Sequence, residues 1–147
     1  MKPGVIVASD HAGFELKQRL KTTLERLGVV FEDVGADSEE SVDYPDYAHR
    51  VARAVAEGEV ALGLLVCGSG QGMVMTANRH RGVRAALVHD EQSARLCREH
   101  NDANVLALGG RAVDHDLAER ILQIWLETPF SGGRHQRRID KIDSEPE

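Results

Sequence analysis

Residues 64–73 read LLVCGSGQGM, a thiol followed by glycines at every second position, Gly68, Gly70 and Gly72. The short apolar run ending in Cys67 reads as a strand, and a helix beginning near Gln71 would come after the turn. Such a turn exposes backbone N–H groups and sits at the positive end of the helix, which makes it an anion site. Ser69 adds a hydroxyl to the same cradle. The partial positive charge would also favour the thiolate of Cys67, the form that acts as a base or a nucleophile. Two nucleotide-binding readings fail. Met73 stands where G-x-G-x-x-G requires glycine, and no Gly-Lys-Ser/Thr comes next as in a Walker A loop. An inert cysteine closing a strand is the plain alternative, but the adjacent anion cradle favours a functional one.

Other groups with chemical potential stand at comparable places. Asp10 and His11, in SDHAG, come directly after the apolar run VIVAS (5–9). Asp10 alone reads equally well as a helix cap, and His11 as a loop residue. His100 and Asn101, in REHNDANV, end a helix, where a histidine also complements the helix dipole. Arg111 comes after Gly109 and Gly110 at the end of another apolar run. Arg134 and Arg138 stand four apart after two glycines, on one face if that segment is helical, a spacing that suits bidentate phosphate binding. Cys97 reads as a core-facing helix residue. His49, His80 and His115 sit among polar neighbours with no specific role, and Tyr44 starts a helix from which it could line a cleft.

The elements that must hold these groups alternate along the chain. Apolar runs at 5–9, 29–35, 61–67, 83–89 and 104–110 predict strands buried on both faces. Between them lie helical patterns: Leu16, Leu20, Leu24 and Leu27, stopped at Gly28; Ala48, Val51, Ala52 and Val55 after Pro45, stopped at Gly58; a helix from Asp90 through Arg98; and Leu117, Ile121, Ile124 and Trp125 after Asp114. Five strand–helix units predict a three-layer α/β/α sandwich around a five-stranded parallel, Rossmann-like sheet, with residues 1–147 as one domain. Ligands of such sheets bind beyond the carboxyl ends of the strands, which selects Ser9–His11, Cys67–Ser69, His89–Asp90 and Gly109–Arg111.

Composition narrows the function. The chain has 147 residues, a formal net charge of −6 and two cysteines. An acidic chain is not expected to bind nucleic acid, no apolar stretch suggests a membrane span, and no secretory signal pattern opens the chain. Two distant cysteines suit neither a disulfide framework nor a zinc site. A cytoplasmic protein with reduced thiols and no metal is expected.

Five motifs taken together, SDHAG, DYPDYA, CGSGQGM with Ala77-Asn78, REHNDANVLALGGR and GGRHQRRI, resemble the ribose-5-phosphate isomerase B family. Its wider membership includes allose- and galactose-6-phosphate isomerases. The resemblance runs from about residue 4 to 142. It implies an aldose–ketose isomerase that moves a proton between C1 and C2 through a cis-enediolate, without metal or other cofactor. One branch of the family uses a cysteine at the position of Cys67 as the base. Another uses a glutamate at the position of Met73, so the thiol is the base expected here. The resemblance assigns the developing enediolate oxygen to N–H groups of the turn at Gly68, Ser69, Gly70 and Gly72, and ring opening to His100. It assigns the sugar oxygens to Asp10 and Asn101 and the phosphate to His11, Arg134 and Arg138, with Arg111 a further cleft residue. It implies a homodimer or homotetramer with sites at the subunit interface, segment 131–147 packing on a neighbouring subunit. A ribose 5-phosphate substrate is expected. The alternatives are allose 6-phosphate, galactose 6-phosphate, a tetrose phosphate, or a non-catalytic sugar-phosphate sensor.

Overall fold

The computed structural model describes residues 3–146; Met1, Lys2 and Glu147, the ends of the expected 1–147 unit, lie outside the described residues. The elements run β1 (Val5–Ser9), α1 (Phe14–Arg26), β2 (Phe31–Asp33), α2 (Tyr44–Ala56), β3 (Leu62–Cys67), α3 (Gln71–Ala77), β4 (Ala85–Leu87), α4 (Glu91–Glu99), β5 (Val105–Gly109), α5 (His115–Glu127) and α6 (Arg134–Asp140). All strand pairs are parallel, in the order β2-β1-β3-β5-β4. This is the Rossmann-like α/β architecture that the alternating pattern predicts.

The apolar runs are continuous because both faces of the sheet are covered. Along β1, Val5 and Val7 enter one core, with Leu16, Leu20 and Leu24 of α1 and Ile121, Leu122 and Trp125 of α5. Ile6 and Ala8 enter the other, with Val51, Ala52 and Val55 of α2 and Met73 of α3. Each such large aliphatic or aromatic side chain contributes roughly 1.5–3 kcal/mol on burial. Asp90 and Asp114 cap α4 and α5 as their positions suggest, accepting hydrogen bonds from the N–H of Ser93 (2.6 Å) and Asp116 (2.7 Å).

β2 and β4 are shorter than the apolar runs 29–35 and 83–89 because both are edge strands with one neighbour each. Asn78 covers the open edge of β4: its Oδ1 accepts from the Ala85 N–H (2.8 Å) and its Nδ2 donates to the Ala85 carbonyl (2.9 Å). That pairing occupies backbone groups which would otherwise invite another strand.

Strand register and helix direction together place the candidate groups. Ser9 pairs with Val66, and Cys67 with Gly109, so the carboxyl ends of β1, β3 and β5 come level. Each helix returns the chain to the opposite end of the sheet, so the last residue of α4 lies where β5 begins.

Candidate active site

The carboxyl ends of the three central strands gather one set of candidates. Cys67 closes β3, is 4% exposed, and its Sγ accepts a hydrogen bond from the Gly70 N–H at 3.1 Å. That bond needs a tight reversal, which Gly70 supplies at φ +82°. A side chain at Gly70 would collide with Leu87. Ser69 Oγ accepts from the Gln71 N–H at 3.2 Å, so the N–H groups of Gly70 and Gln71 are both engaged inside the turn itself. Met73 is fully buried in the apolar core, where a carboxylate would be unsolvated.

Asp10 and His11 leave β1 beside this turn. Asp10 is 6% exposed, and its Oδ1 accepts from the Gly13 N–H at 3.0 Å, closing the turn ahead of α1. Asp10 thus closes the turn that leads into α1 and does not cap the helix, whose N-cap is Gly13. His11 Nδ1 accepts from the Val42 N–H at 3.2 Å, which leaves the ring proton on Nε2 as a donor. Arg111 donates its backbone N–H to the Gly68 carbonyl at 3.0 Å, and its side chain passes close to Gly68. His11, Arg111 and His115 share a cleft of about 160 Å³ with Glu15 and Glu39. Tyr44, 40% exposed, lays its ring directly over Gly72, and a Cβ at Gly72 would collide with it.

The second set stands elsewhere. His100 caps the carboxyl end of α4, and Asn101 comes next, in the turn that leads into β5. Arg98 braces that turn, donating to Asp102 (2.9 Å) and to the carbonyls of Ala103 (2.7 Å) and Thr128 (3.3 Å). Asn101 lines a concavity of about 390 Å³ with Val83, Arg84, Cys97 and Ile142, away from Cys67. The segment that starts at Ser131 returns to this end, the Ser131 N–H donating to the Glu99 carbonyl at 3.0 Å. Arg134 and Arg138 are on α6, which buries no residue, and neither forms an ion pair among the described residues. With about 3.3 Å of rise per residue, the length of β5 separates the two sets by on the order of 15 Å.

The Ribose/Galactose Isomerase family model matches residues 5–142. The chain belongs to this family. It is 47% identical over 133 residues to ribose-5-phosphate isomerase B of Escherichia coli (strain K12), covering 90% of this chain and 89% of that protein. Among solved structures it resembles a ribose 5-phosphate isomerase of Thermotoga maritima, with a TM-score of 0.94, 50% identity, and coverage of 99% and 100% of the two chains. It also resembles ribose-5-phosphate isomerase B of Mycoplasma genitalium with bound ribulose-5-phosphate, at TM-score 0.91 and 42% identity over 95% and 93% of the chains. Membership of the ribose/galactose isomerase family makes the activity class that of a sugar phosphate isomerase.

Sequence reasoning left the place of Tyr44 open, and no periodicity could have set its ring on Gly72. It also gave His49 and His80 no role. They meet, Nδ1 of His49 lying 2.7 Å from Nε2 of His80, and join α2 to the turn after α3.

Proposed function

We propose that this ribose/galactose isomerase interconverts D-ribose 5-phosphate and D-ribulose 5-phosphate at sites shared between two copies of the chain. The observation that carries the reading is the thiol of Cys67, fixed by the Gly70 N–H at a ligand-facing strand end, with a ring-opening candidate at the opposite end of the same sheet. One chain holds both halves of a site too far apart to use together. A two-fold pair would bring the His100 end of each copy to the Cys67 end of the other and complete two sites at once.

In this reading His100 of one copy gives a proton to the ring oxygen of the furanose while the C1 hydroxyl loses its own, and the aldehyde opens. The Cys67 thiolate of the other copy then removes the C2 proton, and the electron pair moves to form the enediolate. The Cys67 thiol then returns its proton to C1 while the O2 proton passes to O1, which gives the ketose and regenerates the thiolate. Backbone donors aimed at the developing oxyanion supply the main electrostatic stabilisation. A protonated sulfur accepts a hydrogen bond less well than a thiolate, so the Gly70 N–H becomes free for the enediolate oxygen as charge moves there. Asp10 and Asn101 hold sugar hydroxyls, and Arg134, Arg138 and the Nε2–H of His11 hold the phosphate, with Arg111 beside the turn.

The test is an isomerisation assay over four-, five- and six-carbon sugar phosphates in the presence of a chelator. Ribose 5-phosphate is expected to give the highest kcat/KM. A higher value for a hexose or tetrose phosphate would replace the substrate, and no turnover of any of them would favour a sensor.

A further inference from the structure

Beyond the residues given a role above, α6 carries a second histidine whose place is specific. His135 and His100 stack, their ring centroids 4.4 Å apart and their planes within 15°. Both are part-buried. The two rings come from different elements, His100 from the end of α4 and His135 from the first turn of α6. The chain between them is held to α4 by the Ser131–Glu99 hydrogen bond. It reverses at Gly132 and Gly133, with φ +68° and +58°, values open mainly to glycine.

We propose that His135 is a positioning residue for His100, its ring fixing the plane in which the His100 imidazole meets the sugar's ring oxygen. The inference rests on the ring-opening role proposed for His100. An exposed histidine at a helix end turns freely about two bonds, whereas general acid catalysis needs its nitrogen aligned with the accepting oxygen. A ring packed flat against one face removes most of that freedom. Burial, and then the positive charges of His100, Arg134 and Arg138, hold His135 below the ordinary histidine value. Near neutral pH it therefore lies against His100 as an uncharged aromatic face and does not compete with Arg134 and Arg138 for the phosphate.

The experiment compares His135→Ala and His135→Phe with the wild-type chain in two readouts. In the first, His135→Ala is expected to lower kcat on ribose 5-phosphate by about tenfold with KM changed by less than about twofold, and His135→Phe to restore most of the loss. In the second, the His100 ring-proton resonances of the ligand-free protein should move in His135→Ala and stay closer to wild type in His135→Phe. A Phe variant as impaired as the Ala variant, a loss confined to KM, or His100 resonances unmoved by His135→Ala would each overturn the proposal. If the wild type turns over no sugar phosphate, it is the proposed function that fails, and the resonances still report whether His135 holds the His100 ring.

Discussion

Cys67 and His100 stand at opposite ends of one sheet: Cys67 lies level with Gly109, the last residue of β5, whereas His100 ends the helix that delivers the chain to the start of β5. On the proposal that Cys67 is the base and His100 the ring-opening acid, this separation calls for a second copy of the chain, because one copy would not bring both groups to the same sugar.

The base is tested by Cys67→Ser. The change is nearly isosteric and leaves the Gly70 N–H an oxygen to bond, so thermal unfolding should stay close to wild type. Turnover should fall by at least about a hundredfold, since a hydroxyl is no useful base near neutral pH. Thiol alkylation should inactivate the wild type, with sugar phosphate slowing the reaction. A Ser variant that keeps most of its kcat removes Cys67 from the mechanism.

Arg134 and Arg138 are exposed, so their removal should not affect the fold. Each charge-assisted hydrogen bond contributes roughly 1.5–3 kcal/mol. Arg138→Ala should therefore raise KM by about one to two orders of magnitude, at 1.4 kcal/mol per decade, with a smaller effect on kcat. Steady-state kinetics decide it, and an unchanged KM counts against the phosphate clamp.

Lys17 has no exposed side-chain surface and lies 2.9 Å from Asp33 and 2.6 Å from the Ala36 carbonyl. It ties α1 to the loop after β2, whose Gly35 carbonyl and Ala36 N–H bond the backbone of Ser9 beside the site. Lys17→Met should cost about 3–5 kcal/mol of stability, the usual result of removing one partner of a buried pair. Lys21, 2.8 Å from Asp33, moves the expectation to the lower end. Urea unfolding measures it, and a loss below about 1 kcal/mol would show that the pair is dispensable.

The His49–His80 contact carries a pH dependence of stability. Burial, then the charges of His49 and Arg53, hold His80 below its ordinary value of 6.5. The folded state therefore binds this proton less readily than the unfolded chain. The contribution is complete above about pH 6.5 and is lost as pH falls from there through the folded-state value. His80→Asn should flatten the pH dependence of the unfolding free energy in that window. An unchanged profile would show that the pair does not titrate with folding.

Much of this was legible in the sequence, and the rest has identifiable reasons. The continuous apolar runs located β1, β3 and β5, because strands buried on both faces leave no alternation to misread. Edge strands β2 and β4 came out short, since a run of apolar residues does not reveal how many neighbours it will have. The glycines at 68, 70 and 72 marked the turn, yet residue spacing carries no sign that Ser69 and Cys67 engage two of its own N–H groups. His135 drew no reading from the sequence, because its stacking partner lies on a different helix, far away along the chain. Tyr44 read only as a helix-start residue that could line a cleft, because its contact with Gly72 depends on how α2 packs on the 68–72 turn.

The shared site is tested most directly by complementation. Cys67→Ser and His100→Asn chains, each nearly inactive alone, are unfolded, mixed and refolded together. If each site takes Cys67 from one copy and His100 from the other, every mixed dimer carries one intact site, and random pairing should restore about a quarter of wild-type activity. Mixed dimers that demonstrably form and yet show no more activity than the parents would contradict the account, because base and ring-opening acid would then come from the same chain.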